Sequence, residues 1–148
     1  MSRLTGPVSL TPAVDSLTRH DEALAAIGSM AYGADGEFIY VTAGGAITVS
    51  GDPVSASGAL SAVVRGDLDV GAFLGIAEAP FASGESGYIR TKGPTTAVVE
   101  SGAVAGGLLQ LSGTVGKLKA ITTSGTAVAV ALEASDDASS AAIDIYLR

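Results

Sequence analysis

Residues 84–117 read GESGYIRTKGPTTAVVESGAVAGGLLQLSGTVGK, and this stretch decides the fold class. Tyr88-Ile89-Arg90-Thr91 is β-prone and meets a breaker at Lys92-Gly93-Pro94. Thr95 to Val99 resumes the strand pattern and Ser101-Gly102 turns it. Gly106-Gly107 punctuates it again before Leu108-Leu109-Gln110-Leu111-Ser112. Three runs of about five residues at roughly ten-residue spacing are the pattern of an all-β barrel or sandwich. Nothing in the stretch is equipped to perform chemistry.

The same grammar extends in both directions. Upstream, Gly33-Ala34-Asp35-Gly36 reads as a turn, with Asp-Gly suited to positive φ. Phe38 to Thr42 is a strand, Ala43-Gly44-Gly45 a turn, and Ala46 to Ser50 the return arm of a hairpin that Gly51-Asp52-Pro53 ends. Ala59 to Arg65 and Ala72 to Ala77 are further runs. Gly75, in the middle of the second, marks a bulge or a close approach of two backbones. Downstream, Thr126 to Leu132 alternates alanine with larger residues, and Ala142 to Leu147 is a terminal strand. The sum is a small single-domain β-barrel or β-sandwich of about ten short strands over residues 31–148.

Residues 1–30 differ. Pro7 and Pro12 interrupt regular structure, and a charged segment runs from Asp15 to Glu22. Thr18 is placed to cap a short helix over residues 19–27, with Gly28 as its stop. This segment reads as an extended N-terminal arm that docks on a neighbour. Its anchors are Leu4, Val8, Leu10 and Leu17, with Arg3 and Arg19 as charge partners.

Composition narrows the function. The chain has 148 residues, 47% of them hydrophobic, but mostly alanine and valine, and only 5% aromatic. Small side chains make thin cores, so contacts with other chains are expected to add stability. A net charge of −7 with scattered Lys and Arg leaves no electrostatic footprint for nucleic acid. The absence of cysteine removes disulfides, a thiolate nucleophile and zinc sites of the usual kind. The N-terminus has no continuous apolar region of a secretory signal. No run approaches the ~18 apolar residues of a membrane span. The chain is therefore expected to be made in a cytoplasm and to contact no membrane.

Candidate chemical residues are few. His20, the single histidine, has no nucleophile motif to serve as a base. The pairs Asp67/Asp69 and Asp136/Asp137 lack the spacing of a calcium loop and read as turn caps. Gly44-Gly45 and Gly102 to Gly107 match neither phosphate-binding glycine pattern. Tyr32, Tyr40, Tyr88 and Tyr146 read as core or interface anchors. The reading is a protein without catalytic, cofactor or metal site.

The order of motifs carries a resemblance. Asp35-Gly36-Glu37-Phe38-Ile39-Tyr40-Val41 precedes Ala43-Gly44-Gly45-Ala46, and Phe73-Leu74-Gly75-Ile76-Ala77 follows. Next come Ser86-Gly87-Tyr88-Ile89-Arg90-Thr91-Lys92-Gly93-Pro94 and Val104-Ala105-Gly106-Gly107-Leu108-Leu109. Val130-Ala131-Leu132-Glu133-Ala134 and Ile143-Asp144-Ile145-Tyr146-Leu147-Arg148 close the series. Over residues 32–148 this resembles the capsid cement, or head decoration, proteins of tailed bacteriophages. The resemblance implies a small β-barrel or sandwich without enzymatic activity. Such a protein would bind the major capsid protein on the outer surface of the virion shell, as a homo-oligomer (trimer or dimer). It transfers no functional residues, only strands. On the combined reading, the arm mediates capsid docking, and removing residues 1–20 leaves the domain folded. Two alternatives stand beside it: a head fibre or adhesin base, and a small trimeric β-barrel enzyme with His20 or Asp67/Asp69 in an intersubunit pocket.

Overall fold

The structure, a computed structural model, describes residues 15–33, 35–56, 58–135 and 140–148. Among these residues there are ten strands and no helix. They are β1 (Met30–Tyr32), β2 (Glu37–Thr42), β3 (Asp52–Ala56), β4 (Val64–Arg65) and β5 (Ala72–Ala77). After them come β6 (Ser86–Val99), β7 (Leu108–Leu111), β8 (Leu118–Ala120), β9 (Ala129–Ala131) and β10 (Ala141–Leu147). The expected all-β class is what forms, and its form is a barrel.

β6 is the spine. Its 14 residues run unbroken through the Lys92-Gly93-Pro94 breaker expected to interrupt them. The breaker instead bends the strand. Glu37 pairs with Lys92 but Phe38 with Arg90, leaving Thr91 as a bulge, and Gly93 takes a φ of 105°. A side chain at Gly93 would collide with the Asp35 carbonyl oxygen, so the bend needs glycine. Before it, β6 pairs with β2 and β5; after it, with β10 and β8.

The C-terminal half of β6 therefore belongs to a closed five-stranded ring, β6–β10–β9–β7–β8, sealed by the parallel pair Val99↔Leu118. Inward-pointing Ile143, Ile145 and Leu147 of β10 meet Leu109, Leu111 and Leu118, with Ala97, Ala129 and Ala131 filling the gaps. So narrow a ring cannot house large residues from every strand. That is why alanines line part of its interior.

The N-terminal half of β6 belongs to a second sheet with β1, β2, β5, β3 and β4. The parallel bridge Ala43↔Val63, beside β4, returns this path to β2. Ile39, Val41, Ile47, Val54, Val63, Phe81 and Ile89 fill the interior. β2 and β6 are also covered on their outer face, where Phe38, Tyr40 and Tyr88 form a third cluster with Ala31. Burial on both faces explains the unbroken apolar run Phe-Ile-Tyr-Val in β2.

Several local expectations change. The Asp35-Gly36 turn forms, but it joins β2 to β1 rather than preceding a hairpin with Ala46–Ser50. Both edges of β2 are occupied by β1 and β6, and Thr42 donates its amide to Leu60, so residues 46–50 find no free edge. Ile47 bridges Phe81 instead. Asp52-Pro53, expected as a terminator, opens β3. Gly75 fulfils both readings. A bulge falls at Leu74, because Val54 pairs with Gly75 and Ser55 with Phe73, and Gly75 packs its bare backbone on the Arg90 carbonyl.

Candidate interaction surface

The described part of the N-terminal arm, from Asp15 to Ser29, is a strap lying on its own β-body. The helix expected over residues 19–27 does not form; those residues are turns and bends. The reasons are visible at its start. The Thr18 hydroxyl donates to Asp15 Oδ2 at 2.6 Å instead of accepting from an amide in the next turn. His20 gives both its backbone groups to Ser86, at 2.8 Å each way. The His20 carbonyl is then lost to any helical ladder, and the extended pairing holds the residue out of helical geometry. The same Thr18 hydroxyl and the Leu17 amide hold the Asp15 carboxyl below its ordinary range.

Arg19 pins the strap. Its guanidinium lies 3.7 Å from the centroid of the Phe81 ring and donates to the carbonyls of Ala79 (2.7 Å), Pro80 (3.2 Å) and Tyr88 (3.4 Å). Burial pushes its pKa down to about 10, against the opposing pull of Glu85, Asp15 and Glu78. His20 Nδ1 lies 2.8 Å from the Tyr40 hydroxyl, which also accepts the Leu24 amide at 3.1 Å. Tyr40 meets Tyr88 edge-to-face with centroids 4.9 Å apart. Desolvation, then the neighbouring Tyr40, raises the Tyr88 pKa.

At the strap's start sits a polar knot at the bend of β6. Glu78 Oε1 accepts from Ser16 Oγ at 2.5 Å, and Oε2 accepts from Arg90 Nε at 2.9 Å and from the Thr95 hydroxyl. Arg90 is 8% exposed, lies 4.7 Å from the Phe38 centroid and reaches Asp35 Oδ1 at 3.5 Å. Burial alone would raise the Glu78 carboxyl. The bonds from Ser16, Thr95 and Arg90, with the Arg90 charge, outweigh it and hold the group below its usual range. An open groove of about 600 Å³ runs past this knot, with Leu17 and Ser50 on its walls.

A second surface lies on the outside of the closed ring. Leu108 stands opposite Val130, Val130 opposite Tyr146, and Tyr146 opposite Pro94. Directly opposed residues share a face, so four adjacent strands present one lateral apolar row. Leu108 is 45% and Tyr146 49% exposed, and Pro94 is exposed. Asp144, two positions before Tyr146 on β10, shares this face, and exposed Arg148, just past the strand's end, continues its pairing through its amide to Val128.

The residues named from sequence fall as follows. Arg3, Leu4, Val8 and Leu10 lie outside the described residues, as do Asp136 and Asp137. Leu17 is 65% exposed and lines the groove. Arg19 is not free in this way; its donors are engaged within its own chain. Asp67 acts as a turn cap, its Oδ1 accepting the Asp69 amide at 2.9 Å, while Asp69 contributes that amide. His20 belongs to the strap. Among the tyrosines, Tyr40 and Tyr88 are core, while Tyr32 and Tyr146 are exposed. Among the described residues, no group of three or more His, Cys, Asp or Glu is placed to hold a metal ion, and no helix is long and apolar enough to cross a membrane. The outer row escaped sequence reading. Alternation in β10 put Tyr146 outside, but which residues flank it depends on pairings between distant strands.

No protein-family model matches the chain, and no curated protein matches it.

Proposed function

We propose that this chain is a non-enzymatic virion structural protein, a capsid decoration or cement protein that binds the outer surface of the major capsid shell and stabilises it. The observation that carries the reading is the division of the molecule into a β-body and an N-terminal segment fastened to it at Ser16, Arg19 and His20. Residues 1–14 precede that fastening. They carry Arg3, Leu4, Val8 and Leu10, the proposed shell anchors, and Leu17 stands exposed beside them in sequence. The order of strand motifs in residues 32–148 supports the same reading. Many copies, each bridging capsid subunits through a modest interface, would favour the intact shell by mass action.

The test mixes purified protein with undecorated capsids and counts bound copies by native mass spectrometry or mass photometry. Saturable uptake at a fixed copy number is the expected result. The truncation belongs immediately before Asp15. Deleting residues 1–20 would also remove the Arg19 clamp and the His20 bridge, mixing loss of docking with loss of fold. Wild-type uptake by a chain lacking residues 1–14 would overturn the arm's role. No uptake by the full chain would overturn the capsid reading.

A further inference from the structure

We propose that the outer face of the closed ring is a two-fold self-association surface, on which a second copy of this chain docks through the row Pro94, Tyr146, Val130 and Leu108. The inference stands apart from the capsid reading, since it concerns the free protein. Apolar side chains placed side by side on four adjacent strands form one contiguous patch rather than scattered exposure.

Charge selects the occupant. Along β10 the face reads Asp144, Tyr146, Arg148, an acid and a base on opposite flanks of the apolar row. A two-fold axis lying in the interface, along the apolar row and perpendicular to β10, passes over Tyr146 and sets the Asp144 of each copy against the Arg148 of the other. The patch is thus complementary to itself, as an isologous interface requires. Lys92 lies on the same flank as Arg148 but already faces Glu37 at 3.7 Å, whereas Arg148 makes no ion pair among the described residues. With a net charge of −7, two copies repel at long range, so stable association needs local pairing of this kind. Four half-exposed side chains are fewer than a standard interface contains, so the expected affinity is micromolar or weaker.

Sedimentation velocity across a concentration series, up to millimolar full-length protein, tests this. Wild type should pass from monomer to dimer as concentration rises. Tyr146→Asp should weaken dimerisation at least ~10-fold, because an isologous interface repeats every change twice. Asp144→Arg and Arg148→Asp should each weaken it by a similar factor through like-charge contact, and the double variant should recover most of the loss. Thermal melts verify folding. Should Tyr146→Asp fail to fold, Leu108→Lys alters the same patch from another strand. A wild type that stays monomeric, a trimer, a dimer indifferent to the row variants, or a double swap no better than the singles would each overturn the proposal.

Discussion

Replacing Gly75 with alanine is the sharpest test of how closely β5 packs on the N-terminal half of β6. Gly75 has an ordinary backbone conformation, so the substitution creates no dihedral strain. The obstacle is space. A Cβ at this position would penetrate the van der Waals envelope of the Arg90 carbonyl oxygen, with the carbonyl carbon at 3.1 Å and Ile89 Cδ1 at 3.3 Å. Neither backbone can retreat freely. β5 is held on its other side by β3, and Arg90 sits beside the Thr91 bulge with its side chain tied to Glu78. Forcing a methyl group into such a site costs about 1–3 kcal/mol, and the upper half of that range applies where the obstructing atom is backbone. Alanine also restricts the unfolded chain, which returns about 0.4–1 kcal/mol. The net expectation is a loss of about 2 kcal/mol and a fall in Tm of about 4–8 °C. Gly113→Ala is the control. Nothing lies within 4 Å of a Cβ there and its φ is not positive, so only the unfolded-state gain remains. Both variants are compared with wild type by urea denaturation and circular dichroism. If Gly75→Ala is as stable as Gly113→Ala, the close approach of β5 to β6 is not as described and the reasoning fails.

Other variants probe the charged groups. Asp52 is fully buried and bound by Arg65, with Nε to Oδ2 at 2.7 Å; Arg65→Met should cost about 2–3 kcal/mol in urea titration, because it strands a buried carboxylate. Arg19→Ala should accelerate amide exchange in residues 15–29 while leaving β7 to β10 unchanged; uniform exchange across the chain would show that the strap is not a separable unit. Glu78 favours its ionised form in the folded chain, so its contribution is fully present above its ordinary pKa of 4.5 and is lost as pH falls through the depressed folded value. Glu78→Gln should therefore flatten the acid limb of stability against pH, and an unaltered limb would assign acid sensitivity elsewhere.

Much of the fold was legible, for identifiable reasons. The segments Ala72–Ala77, Leu108–Leu111 and Ala141–Leu147 lie within a residue of where glycine spacing and apolar alternation put them. These signals are local. What failed was decided by partners. Lys92-Gly93-Pro94 has the composition of a break, yet it became a bend because β10 waits on its far side to continue the ladder. Residues 46–50 have the pattern of a strand, but both edges of β2, their expected partner, were already taken. The helix over residues 19–27 lost to Ser86, whose backbone claimed His20. Of the two candidate surfaces, the sequence named one residue each, Leu17 at the groove and Tyr146 in the outer row of the ring. That row across four strands exists only once the ring has closed.

The division of β6 between two sheets also sets a schedule. Every strand of the sheet formed by β1 to β5 is encoded upstream of the bend or within β6 itself, so that sheet can assemble while the chain is still being made. The ring cannot. Seven residues of β6, from Gly93 to Val99, find their antiparallel mate only in β10, made after the other nine described strands. Until then Ala97 and Val99 lie on a bare strand whose open edge invites pairing with another nascent chain. A pause in translation between β9 and β10 would hold the molecule at its most aggregation-prone point.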